Sequence, residues 1–174
     1  MAGPSRKASN LETEATALPL IGWHERVALP DLGVEQLFAK IDTGADISTL
    51  HASDIVILGQ GKDCRVEFTA PLLRRQATCT EWPIGGVRRV SAPLVEERIV
   101  RSSNGEDEMR AIIVTTLVLG SLTFPAHFSL TSREGLRFPL LIGRDAIRGR
   151  VLVDASRAHL VDGGRTCEDD HGAL

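Results

Sequence analysis

The chain has 174 residues, of which 43% are hydrophobic and 25% charged, with a net charge of −3. That length suits one domain with a core of its own. The balance gives no case for a general nucleic-acid binder, and no apolar run approaches a membrane span.

Five Phe, two Trp and no Tyr leave the core mainly aliphatic. Short Val, Ile and Leu runs split by Gly, Pro, Asn and Asp favour strands over long helices. Cys64, Cys79 and Cys167 are odd in number and form no CxxC pair, which fits a reducing compartment. The polar stretch Met1 to Glu14 lacks the apolar segment of a signal peptide, so the expected location is cytoplasmic.

Residues 1–17 and 163–174 read as flexible tails around a folded unit over residues 18–162. The unit opens with Ile21-Gly22-Trp23 and a strand through Val27-Ala28-Leu29. Pro30-Asp31-Leu32-Gly33 turns it into a second strand, Glu35 to Ile41. A further strand is expected at Cys64 to Thr69, whereas Pro71 to Pro93 shows no regular pattern. Glu96 to Arg101 and Met109 to Leu119 form a hairpin across Ser102-Ser103-Asn104-Gly105, where Asn-Gly is a strong turn signal. Gly120-Ser121 turns the chain into Leu122 to Leu130. Phe138 to Ile142 is an apolar strand, Asp145 to Arg148 a short helical turn, and Val151 to Val153 and His159 to Val161 a last pair of strands. Many short strands with regular turns predict a closed or sandwiched all-β domain.

The strand ending at Ile41 runs directly into Asp42-Thr43-Gly44. A small-residue turn after an apolar strand holds a carboxylate rigidly, and glycine lets backbone N–H groups approach it closely. Alone, such a triplet is also an ordinary turn. Two segments together resemble the signatures of retropepsins, the small dimeric aspartic proteases: Ile41-Asp42-Thr43-Gly44-Ala45-Asp46, and later Phe138-Pro139-Leu140-Leu141-Ile142-Gly143-Arg144-Asp145. The resemblance implies a closed retropepsin-like β-barrel with a flap hairpin and one short C-terminal helical turn. Asp42 matches the catalytic carboxylate, Thr43 the residue that bonds across paired loops, and Gly44 the glycine beneath them, followed by Ala45. Asp46 and Arg144 match an ion pair that braces the site. Ser102, Ser103, Asn104 and Gly105 match the flap tip, with Arg101 and Arg110 as candidate readers of acidic substrate groups. Only one Asp-Thr-Gly is present, so the two-carboxylate mechanism implies a homodimer.

From residue 21 to 162 the chain also resembles a bacterial family labelled ATP-dependent zinc proteases, through Ile21-Gly22-Trp23, Leu29-Pro30-Asp31-Leu32-Gly33, Lys40 to Ala45, Leu50-His51-Ala52, Val100 to Gly105 and Leu141 to Arg144. Members occur beside ATP-grasp ligases that add glutamate to ribosomal protein, and relatives are linked to trimming oligoglutamate; a peptide or protein substrate, glutamate-rich, is the implied partner. Asp46 departs from the Arg that many members carry. The labels find no residues here: His24-Glu25 is followed by Ala28 where HExxH needs histidine, and no GxxxxGK loop exists. No metal or cofactor is expected. A zinc-dependent hydrolase and an inactive peptide-binding module on the same barrel stand as the alternatives.

Overall fold

The computed structural model describes residues 17–72, 86–101 and 105–162. The two segments read as tails, to residue 16 and from residue 163, lie outside the described residues, as do the flap-tip residues Ser102, Ser103 and Asn104. The strands are β1 (Leu20–Gly22), β2 (His24–Leu29), β3 (Val34–Ile41), β4 (Ser48–His51), β5 (Ser53–Leu58), β6 (Arg65–Pro71), β7 (Val87–Arg101), β8 (Asp107–Leu119), β9 (Leu122–Thr131), β10 (Leu140–Ile142) and β11 (Leu152–Asp154), with one helical turn, α1 (Arg144–Ile147).

The chain forms the all-β barrel that the resemblance implies. Six strands close in the order β2-β3-β10-β4-β9-β8, and β8 returns to β2 through Val27↔Leu119 and Ala28↔Val118. Closure leaves none of the six with an open edge. Strands β7, β6 and β5 continue outward from β8, while β1 and β11 pair in parallel as a separate ribbon.

Alternation explains the walls. In β8, Ile113, Thr115, Leu117 and Leu119 are buried and the residues between them are partly exposed, whereas Asp107 to Met109 are exposed. One strand is therefore barrel wall at one end and flap at the other. The core is aliphatic with Phe68 and Phe128, as composition requires. Two glycines make turns that other residues resist: Gly33 (φ +62°) between β2 and β3, and Gly120 (φ +58°) at the β8–β9 hairpin.

Three sequence expectations need correction. His159 to Val161 is not a strand: Leu160–Asp162 is a single 3-10 turn. The cause is Glu25, fully buried on β2, whose carboxylate accepts from the backbone N–H groups of Gly22 (2.5 Å), Leu160 (2.9 Å) and Val161 (3.4 Å). Those amides cannot also serve a ladder. Consequently β11 pairs with β1 rather than with the segment after it. Thirdly, the stretch read as irregular is partly regular, since Val87 to Pro93 pairs with Pro71 to Arg65; residues 73–85 lie outside the described residues. Strands β4 and β5 were not expected.

Candidate active site

β3 delivers Asp42 to the end of the barrel. Its backbone N–H donates to the Ile142 carbonyl at 2.9 Å, which fixes the strand end against β10. Its Oδ1 accepts from the backbone N–H groups of Gly44 (3.1 Å) and Ala45 (3.3 Å). Its Oδ2 lies 3.8 Å from Lys40 Nζ, and the side chain stays partly open to solvent. One oxygen is thus held by the loop and the other left available. Thr43 and Gly44 are exposed, and among the described residues no hydrogen bond uses the Thr43 hydroxyl.

The start of α1 clamps this loop from behind. Arg144 N–H donates to the Ala45 carbonyl (2.9 Å) and Asp145 N–H to the Asp46 carbonyl (3.0 Å). The Arg144 guanidinium reaches forward, with Nη1 donating to the carbonyls of Thr43 and Gly44 at 2.8 Å each and Nη2 pairing with the Asp46 carboxylate. Asp46 is 86% exposed and Arg144 37%. Water screens such an ion pair heavily, so the two carbonyl bonds carry more of the bracing.

Beneath the loop lies a buried polar chain with no sequence signature. Ser48 Oγ accepts from Gly143 N–H (3.1 Å), Ser129 Oγ donates to the Ser48 carbonyl (3.2 Å), and Thr49 and Ser129 hydroxyls meet at 2.9 Å. Gly143 is required by closeness: a Cβ there would stand 2.5 Å from the Ile47 carbonyl carbon. The Gly-Arg pair of the second signature therefore has two jobs, close contact by Gly143 and clamping by Arg144.

The β7–β8 hairpin rises beside the site, with Arg101 opposite Asp107 in register. Arg101 Nε and Nη2 donate to the two Asp107 oxygens at 2.9 and 3.2 Å, and this raises its pKa further. A substrate carboxylate would have to displace Asp107 to reach it. Gly105 (φ +84°) is the one tip residue described.

His24 and Glu25 do not form a metal-binding helical face. They lie on a strand, and Glu25 is taken up by backbone amides. Among the described residues no three His, Cys, Asp or Glu side chains converge as a metal-ligand set, and no helix is long and apolar enough to cross a membrane.

Residues 20–162 match a family described as RimB-like, retropepsin-like aspartic endopeptidase RimB. A curated relative from Parasynechococcus marenigrum, named probable alpha-L-glutamate ligase, is 35% identical over 140 residues, covering 80% of this chain and 28% of that protein. One from Shewanella pealeana with the same name is 30% identical over 139 residues, 80% of this chain and 29% of that protein. The chain thus spans less than a third of the curated relatives it matches. A solved structure of a protein of unknown function from Legionella pneumophila shares 26% identity at a TM-score of 0.62, covering 82% of this chain and 98% of that one.

Proposed function

Because the chain belongs to the RimB-like family of retropepsin-like aspartic endopeptidases, we propose that it hydrolyses peptide bonds with a water held between the Asp42 carboxylates of two subunits. The observation that carries this reading is the half-site itself. One carboxylate oxygen is bound by loop amides, the other is free of them, and the loop edge is open at Thr43 and Gly44. A lone carboxylate cannot act as base and acid in the same step. Two in close apposition share one proton, because both cannot ionise cheaply.

The ionised Asp42 takes a proton from the water as its oxygen attacks the peptide carbonyl carbon. The protonated Asp42 of the second subunit donates to the carbonyl oxygen, and the tetrahedral intermediate forms. The first Asp42, now protonated, then donates to the leaving nitrogen while the second, now ionised, takes a proton from a hydroxyl of the intermediate, so the C–N bond breaks and the dyad again holds one proton. Across the twofold axis the exposed Thr43 hydroxyls pair, and the β7–β8 hairpin with Arg101, Ser102, Ser103, Asn104 and Gly105 covers the bound peptide. Arg144, through Thr43, Gly44 and Asp46, keeps the loop in shape for this.

The substrates we propose are acidic, glutamate-rich peptides. Support comes from the relatives named glutamate ligases, in which the segment matching this chain is a minor part. A hydrolase module next to a ligase that makes glutamyl bonds is chemically coherent. The test is digestion of a peptide library containing oligoglutamate by the wild type and by Asp42→Asn. Cleavage abolished in a folded Asp42→Asn protein supports the mechanism; undiminished cleavage, or cleavage lost to chelator and restored by zinc, rejects it.

A further inference from the structure

Arg133 follows β9 and is fixed twice. Its backbone N–H donates to His51 Nδ1 at 2.8 Å, and its Nε donates to the Phe138 carbonyl at 2.9 Å. The Nε bond sets the plane of the guanidinium while leaving both Nη groups without a hydrogen bond among the described residues. No carboxylate among those residues forms an ion pair with it.

Its cationic neighbour behaves differently. Arg110 on β8 is only 10% exposed in its side chain and donates from Nε to Glu108 at 2.7 Å. Glu108 in turn accepts from the Thr131 hydroxyl, 3.0 Å from each carboxylate oxygen, at the end of β9. The exposed end of β8 is therefore tied to the end of β9 at Thr131, two residues before Arg133. Burial and then Arg110 lower the proton affinity of Arg133, whereas Asp42 raises it. The loop that carries Arg133 adjoins the exposed end of β8 through Thr131, and its strand β9 pairs through Phe128 with Ser48, which binds Gly143 beneath the Asp42 loop.

A partly desolvated guanidinium beside a second one is a cost that the Phe138 carbonyl and Asp42 offset only in part. A planar group with two unoccupied Nη donors is the geometric complement of a carboxylate. We infer that Arg133 is a specificity-determining residue of the site, binding the carboxylate of an acidic substrate side chain next to the scissile bond. This rests on the peptidase reading above. It also moves the acidic subsite from Arg101, whose fork Asp107 fills, to the anchored loop after β9.

The test uses a glutamate-rich peptide and its glutamine counterpart. Binding is read by fluorescence anisotropy on the Asp42→Asn protein, and cleavage on the active protein. Arg133→Gln is expected to weaken the glutamate peptide roughly ten- to hundredfold and to leave the glutamine peptide unchanged, with the loss in KM rather than kcat. Arg133→Lys, which keeps the charge but not the paired Nη donors, is expected to recover part of the binding. If Arg133→Gln does not fold, Arg133→Lys carries the same comparison against wild type. Equal losses on both peptides, or no loss on the glutamate peptide, overturn the inference. If the wild type cleaves neither peptide yet binds the glutamate one through Arg133, the peptidase reading falls and the anion subsite stands.

Discussion

Acidification probes His24, because the fold disfavours its protonated form. It is 3% exposed and packs edge-on against Trp23 (4.0 Å between centroids) and His159 (4.4 Å), with Phe138 at 5.5 Å. Burial, then His159 and Arg137, lower its pKa from 6.5 to about 4. Between those values the unfolded chain takes up a proton that the folded chain refuses. Stability is therefore full above pH 6.5, falls as pH drops toward about 4, and levels off below. At about 1.4 kcal/mol for each unit of pKa, the loss near pH 4 amounts to roughly 3 kcal/mol, a large share of a typical domain's stability. Urea unfolding of wild type and His24→Phe, each above pH 6.5 and near pH 4, isolates this contribution. The wild type is expected to lose roughly 3 kcal/mol more than the variant on acidification. Parallel losses in the two proteins would refute the reasoning. The same window is the one in which an aspartic dyad is assayed, so an acid fall in activity reports folding unless this variant accompanies it.

Two further predictions concern the loop. Gly143→Ala puts a Cβ 2.5 Å from the Ile47 carbonyl carbon and 2.9 Å from Ser48 N; backbone cannot yield as a side-chain end does, so a loss of about 3 kcal/mol or more is expected in chemical denaturation. Arg144→Met removes both carbonyl bonds as well as the Asp46 contact and is expected to cost about 1–3 kcal/mol with a sharp fall in kcat, whereas Asp46→Asn is expected to cost less than about 1 kcal/mol. Comparing the two by urea unfolding and peptidase assay checks the order; a larger effect from Asp46→Asn would show that the ion pair, not the carbonyl bonds, braces the loop.

The sequence made the site legible mainly through resemblance, and the hairpins through short-range turn chemistry. Asp42 to Asp46 and Gly143-Arg144 stand out as retropepsin-like signatures; the close approach at Gly143 and the guanidinium clamp of Arg144 are visible only in the fold. The β7–β8 and β8–β9 hairpins follow from Asn104-Gly105 and Gly120, and β6 from the alternation of Cys64, Val66 and Phe68. The misses have a common origin in contacts distant along the chain. Nothing near Leu160 signals that its amide is claimed by Glu25, 135 positions away. β4 reads as Ser-Thr-Leu-His, and its polar residues are buried only because Ser129 and Gly143 meet them. β5 breaks the alternation rule, with Ile55, Val56, Ile57 and Leu58 all exposed at the outer end of the sheet. Arg133 belongs to no motif; its position beside Arg110 follows from the packing of β8 on β9.

The geometry of the loop supports the proposed half-site. Among the described residues, Asp42 and its loop are held by Ile142 at the Asp42 backbone, Gly44 and Ala45 at Oδ1, Lys40 3.8 Å from Oδ2 and Arg144 at the loop carbonyls. Thr43 and Gly44 are exposed. The polar chain of Ser48, Thr49 and Ser129 makes the support stiff, because buried groups that satisfy one another resist displacement. Stiffness on one side and openness on the other are what a twofold mate requires, since two loops that must place carboxylates around one water have no freedom to adjust after they meet. Bringing those carboxylates together takes up a proton. Under the proposed mechanism, assembly, protonation and catalytic competence are then one linked event.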